Sequence, residues 1–389
     1  MWYSIYMFNR LIDNLIQLKT SFFLFGARGT GKTFWLREKL SKKSIFVDLL
    51  ESDNYIKLQN RPQHLEEIIP ENYKGWVVID EIQKVPELLN EVHRLIELRK
   101  YKFILTGSSA RSLRKKGINL LGGRALNYKL YPFTASELGK EWDMNVALKY
   151  GMLPSIYSQH KNQPGKYLES YIHTYLKEEI LQEGLTRNLG AFSRFMEIAS
   201  FSQGSVLNMT EIARESQINR KVIEGYFNLL EDLLIAYRIP VFTKKAKRKL
   251  IIHPKFYYFD VGVYRILRQL GPMDYDSEIS GVALETLVLQ HLIAINTYYE
   301  LGYRIYYWRT KHGLEIDFIL YGPKGLFAIE VKSSTQIHSK HIKALKHFKE
   351  DYRMAKLYVF YNGERELHLD NVEIIPVDLA LRRLEKILV

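Results

Sequence analysis

Cysteine is absent from all 389 residues, which removes disulfides, thiolate metal sites and cysteine nucleophiles. The usual mark of an oxidising compartment goes with it, and a cytoplasmic protein is expected. Acidic residues are also short: 43 Asp and Glu face 56 Lys and Arg, a formal net charge of +13 that favours a polyanionic partner. No apolar run approaches the roughly 18–20 residues that cross a bilayer, so no membrane partner is expected. The N-terminal stretch Met1–Leu15 is interrupted by Arg10 and Asp13 and reads as an amphipathic helix, not a signal peptide. Neither a repeat of fixed period nor a low-complexity tract is present. What remains is a globular chain, 47% hydrophobic and 25% charged, with room for about two or three domains.

The most specific stretch runs from Phe22 to Leu36. Four apolar residues lead into Gly26-Ala27-Arg28-Gly29-Thr30-Gly31-Lys32-Thr33, and a helical pattern follows. This fits G-x-x-x-x-G-K-S/T between a strand and a helix. Glycines let backbone N–H groups turn inward around a β-phosphate, and the helix N-terminus adds its positive dipole end. Lys32 can reach the β- and γ-phosphates, and the Thr33 hydroxyl can sit on Mg²⁺. The stretch therefore predicts a nucleotide site taking ATP and Mg²⁺.

Short apolar strands then alternate with helical stretches, the pattern of a parallel sheet covered on both faces. The expected strands are Ser21–Phe25, Ser44–Asp48, Trp76–Asp80, Phe103–Thr106 and Leu126–Leu130. The third ends in Asp80-Glu81, which places Asp80 at the carboxyl edge of the sheet where phosphates lie. There Asp80 can hold Mg²⁺ through water and Glu81 can polarise the attacking water. Thr106 or Ser108 can contact the γ-phosphate or that water; equally, the serines can cap a helix over Ala110–Arg114. Arg124, after Gly122-Gly123, is a candidate to act in trans on transition-state charge, or a plain surface arginine. A homo-oligomer is the partner such an arginine needs.

The runs GARGTGKT, VVIDEIQKVPELL, FILTGSSARSL and GGRALNYKLYPFTASEL resemble the AAA-type ATPases of bacteria and archaea. More narrowly, they are similar to an uncharacterised branch whose C-terminal region is known only as a domain of unknown function. The resemblance implies a sheet in the order 5-1-4-3-2 and Glu81 as the catalytic carboxylate. The chain departs from that pattern in having no recognisable second sensor arginine in a helical lid, which leaves ring assembly with hydrolysis in trans without support.

From Glu137 to Ser200 the pattern is helical, with breaks at Gly151–Pro154 and Pro164-Gly165, and Tyr167, Tyr171, Tyr175 and Ile180 recur at near-helical spacing, read as core packing ahead of a base-stacking row. Next, Met209-Thr210 is expected to cap a helix over Glu211–Glu215. A turn at Gln217–Asn219 and a longer helix over Arg220–Ala236 make a helix-turn-helix. Strand-like segments Tyr237–Phe242 and Lys249–Ile252 flank a turn carrying Lys244, Lys245, Lys247 and Arg248, the arrangement of a wing. Phosphate contact is one reading of this basic segment, and protein docking or a structural module is the other.

In the last third a helix over Gly281–Tyr299 carries Glu285 within an apolar face. Strands follow over Tyr303–Trp308, Ile316–Leu320 and Leu326–Val331, then a basic helix over His338–Phe348. Strand side chains alternate, so Glu330 and Lys332 point to one side. Asp317 followed by Glu330-x-Lys332 on the next strand, with Glu285 on the preceding helix, resembles the restriction-endonuclease-like core. The resemblance implies Asp317, Glu330 and Glu285 around Mg²⁺ and Lys332 as the cation that orients or activates water. A plain hairpin with a salt-bridged Glu–Lys pair is the other reading.

The expected fold is α/β: an AAA-type P-loop NTPase parallel sheet (1–135), a helical region (136–200), a winged helix (201–262) and a restriction-endonuclease-like domain (263–389). Two functions fit: an ATPase that couples hydrolysis to DNA binding or processing, or a nucleotide-gated switch or defence regulator whose nuclease-like domain is an inactive scaffold.

Overall fold

The computed structural model describes residues 8–40, 44–108, 111, 113, 121–176, 188–243, 253–268, 271 and 276–389. The chain divides into two compact units, one of residues 9–132 with 232–234 and the other of 133–231 with 235–389 and Phe8.

The first unit is built on five strands, β1 (Ser21–Phe25), β2 (Ile45–Asp48), β3 (Trp76–Asp80), β4 (Lys102–Gly107) and β5 (Ala125–Lys129). They pair in the order β2-β3-β4-β1-β5, all parallel, as the resemblance implied. Every residue of β1 and β3 is buried, because helices cover both faces and leave no polar side to alternate with. The helix Leu88–Arg99 shows how: Leu88, Leu89, Val92 and Leu95 form one stripe, buried with Val77, Ile79, Phe103 and Leu105 in a common core. Near the N-terminus, Asp13–Gln17 is a short 3-10 helix and not part of a long amphipathic one, since Asp13 is drawn to the Trp35 indole and the Lys39 ammonium. Residues 1–7 of that expected helix lie outside the described residues.

The second unit starts with short helices. Pro164 opens one of them, Pro164–Ser170, where its missing N–H costs nothing. Tyr171 is fully buried and Tyr167 stacks on His160, so these rings are packing, as expected. Ile180 and the Tyr175 side chain lie outside the described residues. The helix pair is present, Met209–Ser216 and Arg220–Asp232, turned by Gln217 in the left-handed region at φ 56°. Asn208, not Met209-Thr210, caps the first helix by accepting the Glu211 N–H. The second helix ends at Asp232, and Ala236–Ile239 is already β6. Its antiparallel partner is β7 (Lys255–Tyr258). Phe256 is buried against Phe227 and Tyr258 against Phe256. Lys244, Lys245, Lys247, Arg248 and the 249–252 segment lie outside the described residues.

A six-stranded mixed sheet completes this unit: β8 (Arg304–Arg309), β9 (Glu315–Gly322), β10 (Gly325–Lys332), β11 (Lys356–Tyr361), β12 (Leu367–Leu369) and β13 (Val372–Pro376). The order is β12-β13-β11-β10-β9-β8. The chain after β6 docks on its β8 edge, where Phe242 donates its N–H to Tyr307 and Tyr307 donates back to Pro240. The helix Asp276–Tyr298 corrects one expectation, because Ile279–Tyr298 is long and apolar enough to cross a membrane by length and composition. Of that stretch 67% is buried inside the unit, the placement of a central core helix.

Phe242 is 4% exposed and packs its ring among Tyr306, Tyr321, Phe348 and Tyr352. Phe242→Ala should therefore cost about 3–5 kcal/mol of stability in this unit, read from denaturant unfolding. A loss under about 1 kcal/mol would mean that the docking is superficial.

Candidate functional site

The phosphate loop leaves the carboxyl end of β1 and enters the helix Lys32–Lys39. Gly29 and Gly31 adopt φ of 84° and 88°, which a side chain resists, and a Cβ on Gly26 would come within 2.4 Å of the Leu130 carbonyl oxygen. Thr30 is fully buried and donates to the Ala27 carbonyl, while Arg28 is half-buried in the loop. The Lys32 ammonium donates to the Gly26 and Ala27 carbonyls at 2.7 and 3.4 Å. From below, the buried Arg10 guanidinium donates to the Thr30 and Tyr131 carbonyls.

Asp80 sits at the tip of the adjacent buried strand and is 2% exposed. One carboxylate oxygen accepts the Thr33 hydroxyl at 2.7 Å and the other accepts the Thr106 hydroxyl. Thr106 also accepts the Glu81 N–H at 3.2 Å. Four expected site residues are thus joined across the loop, β3 and β4. Glu81 is held in the left-handed region at φ 60°, a conformation that non-glycine residues keep only where the surroundings enforce it. Its carboxylate accepts the Gln83 amide, and a Cβ on Gly107 would meet the Gln83 Oε1 at 2.5 Å. Gln83 was not singled out from the sequence. Ser108 is buried at the end of β4, whereas Ser109, Ala110 and Arg114 lie outside the described residues. Arg124 is partly exposed and pairs with Glu97.

The other site forms within the second unit. The β9–β10 ladder runs antiparallel to Phe318–Ile329, and the next positions in register are Asp317 and Glu330. Pairing yields there: the Val331 N–H turns to the Asp317 carboxylate at 2.9 Å. Glu330 is 6% exposed; one of its oxygens takes the Lys332 ammonium, and the other is buried without a hydrogen-bond partner. Glu285 faces the same cluster from its helix and accepts the Tyr257 hydroxyl at 3.0 Å. The strands so bring together all four residues expected from the sequence.

Three more come with them. Lys255 on β7, 3% exposed, reaches Glu315 at 2.5 Å and Asp317 at 3.6 Å, with Tyr257 the second residue after it on the strand. Burial pulls the Lys255 ammonium down, but Asp317, Glu285 and Glu315 outweigh it and its pKa lies above the usual lysine value. Burial, then the Asp317 charge, pushes both Glu285 and Glu330 up to about 8. Burial and the neighbouring charge thus favour the protonated forms of Glu285 and Glu330. Among the described residues no group of three or more His, Asp or Glu is arranged as a ready metal cage. Asp317 and Glu330 are a pair, with Glu285 drawn toward Tyr257.

Three families match successive parts of the chain: an AAA domain over 19–139, and domains of unknown function over 141–274 (DUF8612) and 280–380 (DUF4143). The chain thus carries an AAA-type P-loop NTPase domain followed by two regions without an assigned role. Relatives include an uncharacterized protein of Mycobacterium tuberculosis, 25% identical over 79% of this chain and 69% of the relative. Another, from Haemophilus influenzae, is 22% identical over 94% and 96%, and one from Methanocaldococcus jannaschii is 23% identical over 94% and 88%. A solved structure of the Aeropyrum pernix ORC1 protein in complex with DNA aligns over 71% of this chain and 88% of that one, at 15% identity and a TM-score of 0.28.

The two raised carboxyls give a pH signature. Their protonated forms are favoured by the fold, so their contribution is complete below the unfolded value of 4.5 and is lost as pH rises through about 8. Metal-free protein should melt lower at about pH 8 than at about pH 5, and Glu330→Gln should flatten the difference. A slope identical in the variant would remove Glu330 as its source.

Proposed function

We propose that the chain is an ATP-hydrolysing machine acting on DNA, its C-terminal unit carrying a divalent-metal phosphodiester site. The linked Thr33–Asp80–Thr106–Glu81 array beside a glycine cradle carries the ATPase reading. Backbone N–H groups of Gly29–Thr33 and the Lys32 ammonium, swung from the loop carbonyls, would hold the β- and γ-phosphates. Thr33 and Asp80, joined at 2.7 Å, would hold Mg²⁺, which would supply charge neutralisation at the phosphates. Glu81 accepts a proton from the attacking water, with Gln83 fixing the carboxylate and Thr106 or Ser108 near the γ-phosphate. Arg124 is surface-placed, as a residue serving a neighbouring copy must be.

In the second unit we assign Asp317 and Glu330 as metal ligands, Glu285 as a supporting carboxylate and Lys332 as the water-orienting cation. The fit rests on the buried, unpartnered Glu330 oxygen and on four carboxyls facing two ammonium groups, an excess of acidic groups that a divalent cation would offset. We read this unit as a winged helix joined to a restriction-endonuclease-like core. DNA as partner is supported by the helix pair, the net charge of +13, and the run from 236 to 259, which has basic but no acidic residues. One observation favours the rival reading of a nucleotide-gated switch on an inert scaffold: Lys332 already engages Glu330. ATPase rates with and without duplex DNA separate the two.

Lys32→Ala should abolish nucleotide binding, whereas Glu81→Gln should keep it and lose about 10²–10⁴-fold in turnover. Normal turnover in Glu81→Gln would overturn its role. For the second site, Mg²⁺ or Mn²⁺ should raise the melting temperature of nucleotide-free Lys32→Ala protein, and adding Asp317→Ala should cancel the rise. Lys332→Ala should keep the rise and lose cleavage. No metal-dependent rise in the parent would return the strand pair to a salt-bridged hairpin.

A further inference from the structure

A buried lysine in the run Lys255-Phe256-Tyr257-Tyr258 has no packing reason to be there. An ammonium 3% exposed must be matched by charge, and the structure matches it with the C-terminal carboxylates, the Tyr307 ring lying 5.7 Å away. Lys255 comes from the β6–β7 hairpin, which the chain builds before the helix that opens the C-terminal region. Its ammonium lies 3.6 Å from the Asp317 oxygen, while the other Asp317 oxygen is taken by the Val331 N–H. Lys332 engages one Glu330 oxygen, and the second Glu330 oxygen is buried with no partner. From the remaining elements, Glu285 and Tyr257 face the cluster, and Glu315 holds Lys255 at 2.5 Å. Lys255 is thus the cation nearest to the Asp317 oxygen that a metal ion would need.

We propose that Lys255 is the resident counter-cation of the Asp317–Glu330 site and contests it with divalent metal, so that the β6–β7 hairpin sets how readily the C-terminal unit loads its ion. The inference rests on the metal reading given above. Two like charges cannot share one buried carboxylate oxygen without cost, so metal entry weakens the hold of Lys255 on Asp317. Conversely, a shift of the hairpin that withdraws Lys255 leaves Asp317 unbalanced and raises the affinity for a cation. Glu315 keeps the ammonium engaged in either state. Pro240–Phe242, docked on β8, ties the hairpin to the same sheet.

The test is Mn²⁺ titration, by electron paramagnetic resonance, of nucleotide-free full-length protein carrying Lys32→Ala. The parent is compared with added Lys255→Met, Lys255→Gln and Lys255→Arg, each checked for a cooperative melt. Lys255→Met should bind Mn²⁺ at least about tenfold tighter than the parent, and Lys255→Arg, which keeps the charge, should not. If Lys255→Met does not fold, Lys255→Gln carries the same expectation with a donor retained for Glu315. Equal affinity in the parent and the neutral variants would overturn the inference and leave the metal reading standing. Weaker binding in a folded neutral variant would also overturn it and make Lys255 a support of the site. No Mn²⁺ binding in any variant would remove the metal reading and the inference together. Tighter binding by the neutral variants, abolished by Asp317→Ala, would establish both.

Discussion

The Asp80 carboxylate is the joint on which the nucleotide domain turns. A single buried group accepts one hydroxyl from the phosphate-loop helix and another from β4, so the amino end of that helix is tied to the carboxyl ends of two parallel strands. A parallel sheet leaves its strand ends as the place where loops must be held without ladder bonds. Here a carboxylate and two threonines do it. Because the Thr106 hydroxyl also takes the Glu81 N–H, the left-handed backbone of Glu81 is fixed by the same network that orders the loop. Removing Asp80 would free the Thr33 and Thr106 hydroxyls at once, and with Thr106 the hold on the Glu81 backbone.

The second unit meets a related problem with different means. Its carboxyls come from two adjacent strands and one helix, and charge repulsion among them is offset by two lysines and a tyrosine hydroxyl. Both sites therefore stand at interruptions of regular pairing: one beyond the strand ends, the other where β9 and β10 cease to exchange backbone bonds. Freed backbone groups need acceptors, and side chains that supply them are also positioned for chemistry.

Much of this could be read from the residues. The apolar run into GARGTGKT and the strand ending in Asp80-Glu81 place the nucleotide site, because burial on both faces writes a strand as an unbroken apolar block. Alternation along Glu330-Val331-Lys332 predicts their shared face. Gln83 and Lys255 escaped for a common reason: each acts across a gap that no local pattern spans. Lys255 did leave a trace, since a single charge within an aromatic strand must find a partner. The strand Lys255–Tyr258 went unread because its aromatic run carries no polar alternation, and its place is set by the packing of Phe256 on Phe227. The Asn208 cap was passed over in favour of its neighbours, which shows how little cap position depends on composition and how much on the first helical N–H groups.

The docking of Pro240–Phe242 on β8 has a consequence for how this chain can be divided. β8 is the outer strand of the six-stranded sheet, and its Tyr307 backbone groups are satisfied only by that segment. At the opposite side the sheet ends in β12, three exposed residues long and too short to recruit a neighbour. A fragment cut at the family boundary near residue 280 would lose Phe242 and Lys255 together. It would keep an open strand edge, an apolar hole and a carboxylate cluster without its second cation. Such a piece should pair edge to edge with its own copies, whereas a piece that begins ahead of β6 carries its edge guard with it.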